Sequence, residues 1–160
     1  MTSGEGHAHR YAATLAWAGS TGAGYDAYDR GHDIAVGGHA WRGSADVAFR
    51  GDPALTNPEE LLVAAASACQ LLSFLAVAAR ARIDVVHYRD DATGIMPDDN
   101  QPRWVTRIDL RPAITVRDPE GRVTPERIHH LSEVGHRECF IAASLRSEIV
   151  VSPTVSILPS

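Results

Sequence analysis

Asn57-Pro58-Glu59-Glu60-Leu61-Leu62-Val63-Ala64-Ala65-Ala66-Ser67-Ala68-Cys69-Gln70-Leu71-Leu72 opens the long apolar run of this 160-residue chain, and its reading decides the fold. Asn57 is a residue type that caps helices, Pro58 suits the first helical position, and Glu59 and Glu60 fall in the first turn, where the macrodipole favours anions. Arg80 and Arg82 give the matching polarity at the other end, so the pattern predicts a helix over 58–82. That helix is apolar nearly all round and must be covered on every side. One small domain hardly wraps it, and a second copy laying its own helix alongside is the simplest cover. An obligate homodimer is therefore expected. The stretch 61–79 approaches the length of a bilayer span. It carries Ser67, Gln70 and Ser73, however, and its flanks read as strands of a soluble protein. A buried central helix, with no membrane partner, is the expectation.

Working outward, the first third reads as β structure. Tyr11, Ala13, Leu15 and Trp17 alternate with Arg10, Ala12, Thr14 and Ala16. Further short strands are expected over 25–29, 33–36 and 40–49, with a hairpin at Gly37-Gly38. Beyond the helix, 83–93 returns as a strand, and 104–117 is the best strand pattern, with Trp104, Thr106, Ile108, Leu110, Ile114 and Val116 on one face. Pro112 interrupts its ladder and predicts a bulge or an edge. Thr124-Pro125-Glu126 starts a second helix that carries Ile128 and Leu131 and ends near Cys139, and 148–158 closes the chain as a strand. The order is α+β, with antiparallel sheets and a long central helix. One domain over residues 1–160 accounts for the length, burying roughly two-thirds of its unfolded surface.

Composition excludes several functions. The formal net charge is -5, so no basic footprint argues for nucleic acid or an anionic membrane. All fifteen fixed cations are arginine, each a permanently ionised planar fork. Residues 1–7 show no basic segment followed by an apolar one, so no secretory leader is expected. The protein is read as cytoplasmic, where thiols are kept reduced.

Two cysteines, Cys69 and Cys139, make no disulfide framework. Each is read either as a small apolar filler of a buried helix face or as a redox thiol. Reactivity requires a thiolate, and Cys69 lies about three turns into its own helix, where the end effect has faded. A nearby cation is thus needed. His136 and Cys139, three apart, form half of a zinc set, but the sequence offers no further ligand pair, and His129-His130 reads as surface. Neither a metal nor a cofactor is expected, and no phosphate loop, serine elbow or carboxylate pair is evident.

Asn57-Pro58-Glu59-Glu60-Leu61 with Cys69 ten residues after Glu59, and Gly135-His136-Arg137-Glu138-Cys139-Phe140-Ile141-Ala142, resemble the signatures of the OsmC/Ohr family of hydroperoxide-reducing proteins. Phe49-Arg50-Gly51-Asp52-Pro53 and Tyr28-Asp29-Arg30 resemble one branch of it, so the likeness spans about 25–153. The resemblance implies an OsmC-like fold in an intertwined homodimer, and a thiol peroxidase acting on organic hydroperoxides in antioxidant stress response. It implies Cys69 as nucleophile, Cys139 as resolving thiol, and a glutamate, here Glu59, that holds an activating arginine. Glu59 lies about 15 Å along the helix from Cys69 and about 80° round it, so it would serve the cysteine of the other subunit. The loop after the first strand lacks the family's usual arginine; Arg30 is the candidate and Arg50 the fallback. An external dithiol, of the kind carried by a lipoylated protein, would restore the thiols. The departures are Gln70 directly after the first cysteine, Gly135 where alanine is usual, and Ala143 where asparagine is common. Two other readings stay open. One is a non-catalytic dimer of this fold binding a small apolar ligand; the other is thiol-dependent hydrolysis with His136 as base.

Overall fold

The computed structural model describes residues 8–159, so the reading of residues 1–7 lies outside it. The chain divides into two compact units, 1–58 and 59–160.

The first unit is an antiparallel sheet of β1 (Thr14–Ala16), β2 (His32–Val36) and β3 (His39–Gly43). Gly37 and Gly38 have φ of 58° and 82°, the left-handed pair that a two-residue hairpin demands. The strand expected over 10–17 shortens to three residues, paired with Asp33 to Ala35. The strand expected over 25–29 is instead a run of turns. There the Trp17 indole donates to the Asp29 carbonyl at 2.8 Å, and the Arg30 side chain folds back on Tyr25 and Tyr28. These side-chain bonds take up backbone groups that a ladder would have used. The strand expected over 40–49 stops at Gly43, because Asp46 caps a 3₁₀ turn over Val47–Phe49 by accepting the Ala48 N–H at 2.7 Å.

The second unit contains α1 (Pro58–Arg80), β4 (Asp84–Asp90), β5 (Thr93–Ile95), β6 (Arg107–Leu110), β7 (Pro112–Arg117), α2 (Pro125–Arg137), α3 (Phe140–Ser144), β8 (Glu148–Val151) and β9 (Thr154–Leu158). Its sheets have the orders β4-β7-β9 and β5-β6-β8. The long strand expected over 104–117 breaks at Arg111, and its halves belong to different sheets. Pro112 is the reason: it has no N–H for the ladder and begins a new strand. The Arg111 N–H at the break is taken by the Asp90 carboxylate at 2.6 Å, whose other oxygen accepts the Ser67 hydroxyl at 2.5 Å. The expected closing strand breaks likewise at 152–153 and crosses the same way, so β6 with β8 and β7 with β9 pair in parallel. The sheets are therefore mixed, not purely antiparallel.

α1 joins the unit's two cores. Ala66 packs with Val105, Ile108 and Leu110, with Leu62 and Val63 alongside, whereas Phe74 and Ala78 pack with Ile83, Ile114, Val116 and Ile128. Cys69 lies on the helix between these clusters. The opposite face remains open: Ala65, Ala68, Leu72, Ala76 and Ala79 are exposed at spacings of three and four, Leu72 by 67%. By length and composition alone α1 would also pass for a membrane span. It ends at Arg80, short of the expected 82. Arg82 takes a left-handed φ of 58°, the Arg82 N–H bonds the Ala79 carbonyl, and the Ile83 N–H bonds the Ala78 carbonyl at 2.9 Å. This is a Schellman stop built on arginine instead of glycine. α2 starts as expected, with the Thr124 hydroxyl accepting the Arg127 N–H at 3.3 Å.

Candidate active site

α2 closes at Arg137, and the chain turns through Glu138 into Cys139, which becomes the N-cap of α3. Two successive amides of that first turn each find a sulfur. The Ile141 N–H donates to Cys69 Sγ at 3.5 Å, and the Ala142 N–H donates to Cys139 Sγ at 3.4 Å. The thiols, seventy positions apart in sequence, are thereby neighbours, and the Cys139 thiol donates to Cys69. Cys69 is half-buried, and Cys139 is only 3% exposed.

Their environments push the two thiols apart. Burial raises the Cys69 thiol, but donation from the Ile141 N–H, the Cys139 thiol, the Phe140 N–H and the Ser73 hydroxyl outweighs it, and Cys69 ionises below the ordinary thiol range. Burial raises the Cys139 thiol, and its hydrogen bond and charge repulsion with Cys69 raise it further against the Ala142 N–H. The pair is thus a more acidic thiol at Cys69 beside a less acidic one at Cys139, so that of the two sulfurs Cys69 gives up its proton more readily.

Three of the donors around Cys69, the Ile141 and Phe140 N–H groups and the Ser73 hydroxyl, were given no role at the thiol by the sequence reading. Its own helix end is too remote, as expected, but α3 brings a fresh turn of unpaired N–H groups to the sulfur. A residue pattern of Cys139 followed by a short apolar turn was the available signal. Ser73, one turn beyond Cys69 on the same face, was legible from helical spacing. Glu59 is half-buried in the first turn of α1 and does not reach Cys69 along its own helix. Arg30 belongs to the first unit. There its terminal nitrogens donate to the Tyr28 and Tyr25 carbonyls, both at 2.5 Å, and its guanidinium carbon lies 3.8 Å from the Tyr28 ring centroid. Arg50, in the same unit, pairs with Asp26 at 2.7 Å. His136 Nδ1 is buried without a hydrogen-bond partner among the described residues. Among the described residues no group of three or more His, Cys, Asp or Glu is placed to hold a metal.

The family model of OsmC-like proteins matches residues 51–154, more than half of the chain and inclusive of both thiols. The chain belongs to the OsmC-like family. No curated protein matches it. Among solved structures, an OsmC-like protein of unknown function from Vibrio cholerae O1 biovar eltor is similar over 92% of this chain and 100% of that one, with a TM-score of 0.80 and 28% identity. An organic hydroperoxide resistance protein from Elizabethkingia anophelis shares the fold over 94% and 98%, with a TM-score of 0.69 and 21% identity. One from Vibrio cholerae described in similar terms shares it over 96% and 95%, with a TM-score of 0.62 and 18% identity. The chain therefore has the OsmC-like α+β fold, with both thiols inside the matched region.

Proposed function

We propose that this OsmC-like protein is a cysteine-based peroxidase that reduces organic hydroperoxides. The observation that carries the reading is the thiol pair at the head of α3, where successive backbone N–H groups meet the two sulfurs and Cys69 is the more acidic of them. The Cys69 thiolate attacks the terminal oxygen of ROOH, the O–O bond breaks, and the alkoxide leaves and takes a proton from solvent to become alcohol, giving Cys69 sulfenic acid. Cys139 then attacks the Cys69 sulfur, forming the Cys69–Cys139 disulfide and releasing water. An external dithiol, such as a lipoyl group, reduces that disulfide by exchange.

The exposed stripe of α1 is an uncovered apolar face that supports a homodimer, and Phe140, next to Cys139 in the chain and 80% exposed, supports a lipophilic substrate. In that dimer Glu59 would hold an arginine, Arg30 by first choice, against the thiolate of the other subunit. The working unit would be one OsmC-like domain over residues 1–160 in the cytoplasm. The names of structural relatives as hydroperoxide resistance proteins, at 21% identity or less, agree with this chemistry without establishing it. The test is catalytic consumption: reduced protein with excess cumene hydroperoxide and dihydrolipoic acid should turn over many equivalents per chain. Loss of a single equivalent or none contradicts the proposal.

A further inference from the structure

Gln70 directly follows Cys69, yet its side chain is fully buried at 0% exposure. Its Nε2 donates to the Ser132 carbonyl of α2 at 3.2 Å. Three residues further along α2, Gly135 approaches α1 so closely that a Cβ there would stand 2.9 Å from the Phe74 Cα and 3.0 Å from its nitrogen. Just beyond α2, Glu138 pairs with Arg80 at 2.5 Å, and Cys139 is the next residue. One hydrogen bond, one backbone contact and one ion pair thus fix α2 along α1 at the residues that lead to the second thiol.

Of these three, the amide is the costly one. Gln70 Oε1 and Ser132 Oγ are both buried without a hydrogen-bond partner among the described residues, where an apolar side chain would leave no polar atom unsatisfied. A lone polar group in an apolar helix contact stabilises one register over its neighbours instead of adding strength. We infer that Gln70 is a positioning residue for the thiol pair: its amide sets the register of α2 on α1, and with it the placement of Cys139 at the Cys69 sulfur. Its catalytic meaning rests on the proposed peroxidase, but the geometry does not, and the test uses no peroxide.

A bis(nitrobenzoate) disulfide reads the two thiols in sequence. The Cys69 thiolate attacks one reagent sulfur, its S–S bond breaks, and one coloured aryl thiolate leaves a Cys69–aryl mixed disulfide. Cys139 then loses its proton to solvent and attacks the Cys69 sulfur, forming the protein disulfide and expelling the second aryl thiolate. Gln70→Met keeps the side-chain length and removes the donor. It should leave the first release within about threefold of wild type and slow the second about tenfold or more, since intramolecular attack depends steeply on alignment. A second release at the wild-type rate in a folded Gln70→Met overturns the inference. A purely structural role would instead slow both phases alike or lower the melting temperature alone, and either result also overturns it. If Gln70→Met does not fold by circular dichroism, Gly135→Ala takes its place: it shifts the same helix contact without touching a polar group, and an unslowed second release again overturns the inference. Wild-type protein that releases both aryl thiolates promptly but consumes no cumene hydroperoxide sinks the peroxidase and leaves the positioning role standing.

Discussion

Cys69→Ser should lose at least about a thousandfold of hydroperoxide turnover, the scale seen when an enzyme's nucleophile is removed. The serine hydroxyl inherits the Ile141 and Phe140 N–H donors, but those donors cannot ionise an alcohol near neutral pH. A protonated hydroxyl does not displace alkoxide from a peroxide. The fold should survive, because the change removes no packed carbon and the site is half-buried. Peroxide loss measured with dihydrolipoic acid decides the point. A Cys69→Ser variant as fast as wild type would mean that both thiols are core filling.

Cys139→Ser should separate the two halves of the cycle. Cys139 caps α3 by accepting the Ala142 N–H, and serine is a better cap than cysteine, so the turn that faces Cys69 should persist. The serine hydroxyl also replaces the thiol that donates to Cys69, so the first reaction with peroxide should stay within roughly threefold of wild type, a shift of well under one pKa unit. Since the Cys69 thiol ionises below the ordinary range, that first step should lose its rate at a lower pH than the reaction of a free thiol does. Turnover should nonetheless drop roughly a hundredfold or more, because dithiol from solution must replace an attack inside the molecule. The sulfenic acid at Cys69 should then be trapped as an added oxygen in the intact mass. A Cys139→Ser protein that turns over normally would remove Cys139 from the cycle.

The start of α1 was legible because Asn57-Pro58-Glu59-Glu60 concentrates several independent helix-start features in four residues. Its end was not, because the stop uses Arg82 in a left-handed conformation that sequence readers expect of glycine. Residues 104–117 have an unbroken alternation, and that alternation is real: Ile108, Leu110, Ile114 and Val116 are all buried. Period alone does not say that two sheets share it, nor that Asp90 reaches over to satisfy the Arg111 N–H at the crossing. The same limit hid the parallel pairing of β8 and β9, since local pattern carries no strand direction. In the first unit, Tyr25 and Tyr28 look like strand residues, but Arg30 draws both carbonyls into a turn.

At the site, motif resemblance named both sulfurs, and the structure brings them together. The source of thiolate stabilisation within the second unit was missed because it lies on an element too short to announce itself. α3 has five residues, and its effect on Cys69 depends on a tertiary approach that no spacing rule encodes. Gln70 was visible as a departure, but its role required seeing what lay opposite it on α2.

Mass spectrometry of fully reduced wild-type protein after one equivalent of cumene hydroperoxide tests the central claim most directly. The intact chain should lose two hydrogens, and digestion should yield a single linked peptide pair containing Cys69 and Cys139. An unchanged mass, or an oxygen left on Cys69 with Cys139 still free to alkylate, would contradict it.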